Sequence, residues 1–408
     1  MSLNPTRSNR ANGPLRSLAC SIGAMAIGLG LALAPSSAAQ AQDPVKIGLI
    51  TTLSTGAGYL GEDVRDGFML AVQQGNGTLG GVPVEVLVED DERKPERGLQ
   101  IAERFVKQEK TPILTGIIFS NVSLAVVPRM VREGIFYLSP NSGPSQLAGK
   151  GCHENFFNIS WQNDNQHEAA GQMANNDGVK TAFILAPNYP AGKDALSGFK
   201  RFFEGEIVGE ISTQLGQTDY AAELARIRDA QPEAVFYFLP GGMGINFLKQ
   251  FDQAGLKDNI QIYGPAFSFD ERLLGAVGAA AEGVKNASHW NWDFDNAANK
   301  AMIEAFTAAY DRPVTQYVAM GWDTAMLIGT ALEATGGDVS NAALFRETLE
   351  KAEFESTRGA FRFNSNHFPV QNFYVREVVA KEGGGFTNVT RETILTDHQD
   401  AYVGDCAM

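Results

Sequence analysis

The feature that most constrains this chain is an alternation of strand-like and helix-like segments that begins at residue 45 and starts again at residue 179. In the first run, an unbroken apolar stretch, "VKIGLITTL" (45–53), is followed by "EDVRDGFMLAVQQGN" (62–76), which has helical spacing. The second run opens with "VKTAFILAP" (179–187) and then "AGKDALSGFKRFFEG" (191–205). Strands that alternate with helices predict βα units and parallel sheets.

Two such runs predict a molecule with two parts. A chain of 408 residues exceeds what one hydrophobic core usually holds. We therefore expect an α/β fold made of two doubly wound lobes. In doubly wound sheets, ligands bind beyond the carboxyl ends of the strands. This rule selects the loops that follow the predicted strands, at residues 54–63, 120–123, 141–146 and 187–192, together with a glycine loop at 241–244.

The N-terminus predicts export. Three arginines precede an apolar stretch over residues 18–35, and Ala39-Gln40-Ala41 then fits the small-residue rule for cleavage. We interpret residues 1–41 as a secretory signal peptide and expect a periplasmic protein. A membrane anchor is the alternative, and glycines that interrupt the apolar stretch disfavour it.

Charge and motifs exclude several function classes. The formal net charge is −14, and loss of the three arginines leaves about −17, whereas nucleic-acid binding requires a basic surface. The glycine loop lacks both a third glycine at the dinucleotide spacing and the Lys-Ser/Thr of a phosphate loop. The five histidines show no metal-binding spacing, and no nucleophile elbow is present. We expect no catalytic residue, no cofactor and no metal.

Two cysteines remain after residue 41, namely Cys152 and Cys406. Two cysteines in an exported protein favour one disulfide between them. Two free, buried thiols are the alternative. Neither cysteine belongs to a CxxC motif, which disfavours a zinc site here.

Several segments resemble a known family. "KIGLITTLSTGAGYLGEDVRDGFMLAV", "VEVLVEDDERKPERGLQIAERFV" and "GIFYLSP" are similar to the Leu/Ile/Val-binding proteins of bacterial ABC importers, which are type I periplasmic binding proteins. "APNYPAGKDALSGFK" and "LPGGMGINFLKQ" resemble a subgroup linked to aromatic solutes. The resemblance covers nearly the whole chain after residue 41, in the same order.

The resemblance implies two lobes joined by a three-segment hinge. One lobe would comprise residues 44–161 and 290–363, and the other would comprise residues 162–289 and 364–408. A disulfide from Cys152 would then lie near the crossovers between lobes.

The resemblance also implies a carboxylate site. Ser120 occupies the place of the family's carboxylate-binding serine, and Asn141, Ser142 and Gly143 lie where the family uses small and hydroxyl residues. The residues alone agree, because a serine between a strand and a helix offers its hydroxyl and nearby N–H groups to an anion. Gly143 replaces a common threonine, which puts one contact in doubt.

Departures from the family pattern indicate a different ligand. Ala266 stands where amino-acid binders hold the ligand's ammonium with a glutamate, and Phe267 follows it. Ala191 replaces a tyrosine, with Tyr189 two residues earlier, and Gly241 replaces a bulky residue. We expect these changes to widen the cleft.

Aromatic side chains are candidates for stacking on a ring. Tyr59, Phe119, Tyr189 and Phe267 could flank a flat ligand, although core packing is the alternative for Phe119. Trp161 and His289, at the implied crossovers, could touch the ligand or only form the hinge. The favoured ligand is therefore an aromatic carboxylate, such as a benzoate or phenylpropenoate derivative.

The leading interpretation is a monomeric solute-binding protein that delivers this ligand to an inner-membrane ABC permease. The alternatives are a binder of branched-chain or other amino acids and a ligand-sensing domain of the same fold. We expect the sensing domain less, because no membrane-spanning or output segment follows Met408. An exported α/β enzyme is the alternative from another class.

Overall fold

The computed structural model describes residues 43–408, and its first sheet has six strands in the order β2-β3-β1-β4-β5-β6. β2 is antiparallel to β3, and the other pairings are parallel. The apolar run that opens the chain forms the central strand, where Ile47, Leu49 and Ile50 are fully buried. The strands are β1 (Val45–Thr51), β2 (Thr78–Leu79), β3 (Val82–Asp90), β4 (Ile113–Thr115), β5 (Phe136–Ser139) and β6 (Phe156–Asn158).

The second sheet has eight strands in the order β12-β13-β11-β10-β9-β7-β8, with β14 paired to β13. Its core of β8, β7, β9, β10 and β11 is parallel, and β13 joins it antiparallel. The strands are β7 (Thr181–Pro187), β8 (Glu206–Thr213), β9 (Ala234–Tyr237), β10 (Gln261–Pro265), β11 (Lys285–Ser288), β12 (Arg362–Phe363), β13 (Pro369–Ala380) and β14 (Phe386–His398).

Helices connect the parallel strands, as the alternating pattern predicted. They are α1 (Gly58–Gln74), α2 (Pro95–Lys107), α3 (Ser120–Arg132), α4 (Ser145–Ala148), α5 (Asn165–Asn176), α6 (Pro190–Phe202), α7 (Ala221–Ala230), α8 (Gly242–Gln253), α9 (Glu271–Val277), α10 (Ala297–Tyr310), α11 (Gln316–Thr335) and α12 (Ala342–Lys351). Short 3-10 turns cover Ala266–Ser268, Gly278–Ala281 and Val403–Asp405. None of the helices within residues 43–408 has the length and apolar character that crossing a bilayer requires.

Helices α1 and α11 pack with their backbones almost in contact. A Cβ atom at Gly67 would lie 2.1 Å from the carbonyl oxygen of Val318, and one at Gly321 would lie 2.1 Å from that of Val64. Only glycine fits at both positions. This crossing fixes the start of α11 beside the middle of α1.

The predicted α/β fold with two sheets is confirmed, and several elements were missed, namely β2, β6, β11, β14, α4, α5, α9 and α12. Helix α5 was not predicted, because "NQHEAAGQMANN" has a weak apolar pattern and is buried on most sides. Strand β14 forms a terminal antiparallel hairpin with β13, and residues 362–363 pair with the same strand. The predicted signal peptide, residues 1–41, lies outside the described residues.

The disulfide predicted from the two remaining cysteines is present. Cys152 and Cys406 are bonded, with their Cα atoms 5.7 Å apart and a sequence separation of 254. The bond attaches the C-terminus to the loop between α4 and β6.

Candidate functional site

A narrow cavity of about 30 Å³ lies where the loops after the strands of both sheets meet. Most of its lining follows directly from the carboxyl ends of β4, β5, β6, β7, β9 and β10, as doubly wound sheets predict. Helices α1 and α11 contribute one residue each. The lining residues are Leu60, Ile118, Phe119, Ser120, Asn141, Trp161, Asn163, His167, Tyr189, Ala191, Phe238, Pro240, Phe267 and Tyr317.

One end of the cavity is polar and lies at the start of α3. Ser120 is the first residue of that helix, and its Oγ lies 3.2 Å from Ser142 Oγ. The Nδ2 of Asn163 donates to Ser120 Oγ at 3.1 Å and to Asp194 Oδ2 at 2.9 Å. The first-turn N–H groups of a helix have no partners within the helix and attract anions. This end of the cavity therefore carries donors suited to a carboxylate.

Asn141 and Gly143 shape this end through contacts with the neighbouring loops. The Nδ2 of Asn141 donates to the carbonyl oxygen of Ile118 at 2.7 Å, and its buried Oδ1 has no partner among the described residues. The backbone N–H of Gly143 donates to Asn163 Oδ1 at 3.1 Å. A Cβ at Gly143 would lie 2.1 Å from the carbonyl oxygen of Trp161, so the threonine common in the family does not fit here.

The remaining walls are aromatic. The ring of Tyr189 lies between those of Phe119 and Phe238, with both centroid distances 6.2 Å. Phe267 lies 5.1 Å from Trp161 and 5.4 Å from Phe238. Offset and tilted rings at these separations attract each other and form flat surfaces against which another ring can pack.

Burial keeps the polar groups of these walls uncharged. It lowers the pKa of His167 to about 3 and raises the pKa of Tyr189 and of Tyr317 well above the ordinary value for tyrosine. The two hydroxyls therefore stay protonated and can donate hydrogen bonds. Among the described residues that line the cavity, none is Asp, Glu, Lys or Arg.

The predicted site residues are only partly brought together. Phe119, Ser120, Asn141, Tyr189, Ala191 and Phe267 all line the cavity. Ser142 and Gly143 lie one layer behind it, through the hydrogen bonds given above. Three others lie outside its lining, namely Tyr59, Gly241 and Ala266.

Tyr59 bridges two helices instead of facing the cavity. Its hydroxyl donates to Asp270 Oδ2 at 3.0 Å, and Arg272 lies over its ring at 5.2 Å. The edge of its ring meets that of Tyr317 at a centroid distance of 6.5 Å. Leu60, the next residue in α1, lines the cavity in its place.

Gly241 and Ala266 act through their backbone conformation and hydrogen bonding, and not through side chains that face the cavity. Gly241 has φ 66°, and a Cβ there would lie 3.4 Å from the carbonyl oxygen of Gly56. The positive φ, which other residues adopt only with strain, is what favours glycine at this position. That Gly241 widens the cleft stays a prediction. The N–H of Ala266 donates to Gln166 Oε1 at 3.1 Å, which leaves the methyl group buried.

The residues that sequence reasoning left open are now placed. Trp161 lines the cavity, and His289 lies behind it, with a centroid distance of 4.8 Å. The Nδ1 of His289 lies 3.2 Å from Gln166 Nε2, and burial lowers the pKa of this histidine well below its ordinary value. His289 is therefore a buried neutral support for Trp161.

Several lining residues were missed: Leu60, Ile118, His167, Phe238, Pro240 and Tyr317. Two of these had a usable signal. Phe238 and Pro240 follow the end of β9, where the rule for doubly wound sheets places ligand contacts. His167 and Tyr317 come from helices, and no local pattern in the sequence marks either one.

Known proteins resemble this chain over most of its length. The chain matches the periplasmic binding protein family over residues 44–384. It is 28% identical over 369 residues to the Leu/Ile/Val-binding protein homolog 6 of Brucella melitensis, covering 88% of this chain and 93% of that protein.

Solved structures show the same fold. An ABC-transporter solute-binding protein from R. palustris in complex with benzoate is 32% identical and has a TM-score of 0.84, covering 90% of this chain and 100% of that one. A solute-binding protein from Rhodopseudomonas palustris BisB5 in complex with 3,4-dihydroxybenzoic acid is 28% identical, with a TM-score of 0.80 and coverage of 88% and 99%. With a family match that spans most of its length and a cavity between its two sheets, this chain belongs to the periplasmic binding protein family.

Proposed function

We propose that this chain is the extracytoplasmic solute-binding component of an ABC importer and that it holds a small aromatic carboxylate in its cavity. The observation that carries the proposal is a cavity with aromatic walls, no charged side chain in its lining, and the N-terminus of α3 at one end. The benzoate and dihydroxybenzoate complexes of similar proteins support it.

The carboxylate is proposed to lie against Ser120. There it meets the serine hydroxyl and the first N–H groups of α3. Asn163 donates its two amide hydrogens to Ser120 and Asp194 and so orients the serine. No lysine or arginine is needed, because donors that are already oriented stabilise an anion in a dry site.

The ring is proposed to pack between the aromatic side chains. Phe119, Tyr189 and Phe238 form one wall, and Trp161 with Phe267 forms another. An amino acid fits less well, because its ammonium group would be buried without an anion, which costs several kcal/mol. Ala266 supplies no carboxylate, and the described lining contains none.

Closure is proposed to trap the ligand between two lobes, residues 44–161 with 290–363 and residues 162–289 with 364–408. The ion pair between Arg272 Nη1 and Asp63 Oδ1, at 2.7 Å, joins α9 to α1 across this boundary. Hinge closure of this kind shifts the population of states when ligand binds. A monomer, exported by its signal peptide, would then deliver the ligand to a membrane permease without chemical change.

A branched-chain amino acid is the second candidate ligand. The Leu/Ile/Val-binding homolog from B. melitensis favours it, and the absence of a carboxylate from the described lining opposes it.

The test is isothermal titration calorimetry with benzoate on Ser120→Ala. The expected loss is about 1–3 kcal/mol of binding free energy, because the carboxylate loses a donor in a buried site. Ser340→Ala, in an exposed serine bonded to Asp338, is the matched control and should bind as the wild type does. If Ser120→Ala binds benzoate as tightly as Ser340→Ala does, Ser120 does not contact the carboxylate.

A further inference from the structure

A second cavity, of about 250 Å³, adjoins the first and shares Phe119 and Pro240 with it. We call it the outer chamber. Its walls come from the loop before α1, the loop after β3, the loop after β8 and the start of α8. The lining residues are Thr55, Gly56, Ala57, Arg93, Phe119, Leu215, Gly216, Gln217, Thr218, Pro240, Gly242, Met243 and Asn246.

Arg93 is the only charged side chain among the described residues that line either cavity. Its guanidinium carbon lies 5.8 Å from the centroid of the Phe119 ring. On another side it lies against Gly216, where a Cβ would be 3.4 Å from Nη2. Gly216 has φ 96°, a conformation that other residues adopt only with strain.

This guanidinium has no anionic partner in the part of the chain that the structure describes. No carboxylate lies within 4.0 Å of it, whereas the neighbouring Lys94 and Arg97 both pair with Glu92. Side-chain hydrogen bonds from Arg93 are likewise absent among residues 43–408, although the side chain is only half exposed. A half-buried arginine in a chamber without acids favours an anion from outside the chain.

The backbone holds Arg93 in place at an energetic cost. Its φ is 61°, in the left-handed region that is rare for residues other than glycine. Its N–H donates to Asp91 Oδ1 at 2.8 Å, and the same oxygen accepts from Thr52 Oγ1 at 2.6 Å. Strain that is held by such contacts often marks a functional position.

We infer that the outer chamber is a second anion subsite, in which Arg93 binds an acidic group on the far side of the ligand's ring. The preferred ligands are then aromatic acids that carry a second carboxylate opposite the first. This inference rests on the proposed function, since the first carboxylate is taken to lie at Ser120.

The experiment compares benzoate with benzene-1,4-dicarboxylate by calorimetry on the full-length mature protein. We expect the wild type to bind the dicarboxylate at least tenfold more tightly than benzoate. Arg93→Gln should weaken the affinity for the dicarboxylate by about 10- to 100-fold, because a charge-assisted pair is lost. The affinity for benzoate should change less than twofold. Arg93→Lys should restore part of the loss, because it keeps the charge without the paired donors.

Lys94→Gln is the matched control, since Lys94 is exposed and already pairs with Glu92. It should leave both affinities unchanged. Thermal midpoints check that each variant is folded.

The other outcomes separate the two proposals. If benzoate binds and the dicarboxylate binds no more tightly, the outer subsite is wrong and the proposed function stands. If Arg93→Gln weakens the binding of both ligands equally, the carboxylate of benzoate itself lies at Arg93. That result also overturns the second subsite. If neither compound binds the wild type, both proposals fail.

Discussion

His167 is a buried histidine among aromatic rings, 5.1 Å from Phe238 and 5.8 Å from Phe267 by centroid distance. Its Nδ1 is buried without a partner among the described residues. Removal from water disfavours the charged imidazolium, which is the cause of its lowered pKa. The sequence alone could not reveal this, because the helix that carries His167 was not predicted.

The lowered pKa of His167 predicts a loss of stability in acid. The unfolded histidine titrates near its ordinary pKa of about 6.5, so between pH 6.5 and about 3 only the unfolded state takes up the proton. Stability from this group is therefore complete above pH 6.5 and falls as the pH decreases.

His167→Phe removes the titrating group and with it this pH-dependent part of the stability. When the pH is lowered from 7.5 to 5.0, the unfolding free energy of the wild type should fall by about 2 kcal/mol more than that of the variant. Urea denaturation at the two pH values measures it. A difference that stays constant would show that His167 is not held neutral.

At the scale of elements, the exact start of a helix decides which side chain reaches the cavity. The sequence predicted a helix from residue 62, and α1 begins at Gly58. The helix therefore includes residues 58–61, which were not predicted as helical. Tyr59 lies in this first turn, where its hydroxyl reaches Asp270, while Leu60 lines the cavity. The order of strands and helices was predictable from apolar periodicity, whereas contacts between distant elements, such as Tyr317 of α11, were not.

The contact between α1 and α9 predicts a role in closure. Arg272 bonds Asp63 and also lies near Glu62, and both acids belong to α1. Arg272→Ala should weaken benzoate binding by about 1–3 kcal/mol, because the closed form loses a hydrogen bond between charged groups. Asp63 keeps Arg312 and Thr315 as partners, so the fold should survive.

Arg362→Ala is the control for that measurement. Arg362 is exposed and lies 3.8 Å from Asp397, a separation typical of surface pairs that contribute little. Calorimetry should find its affinity unchanged. Unchanged affinity in Arg272→Ala as well would show that this ion pair does not stabilise the liganded state.

At the scale of the whole molecule, closure of the two proposed lobes would trap the ligand between them. The resemblance in sequence was sufficient to predict two α/β parts with a site between them, because loops after parallel strands converge at one edge of each sheet. It could not predict that the lining would contain no charged side chain among the described residues, since that depends on which residue of each loop turns inward. The chemistry of the ligand follows from that lining.

The most direct test of the account is calorimetry of the mature wild-type protein with benzoate and, separately, with leucine. We predict saturable binding of benzoate at one site and no measurable heat from leucine, because the described lining offers donors for a carboxylate and no anion for an ammonium group. Saturable binding of leucine without binding of benzoate would contradict the account.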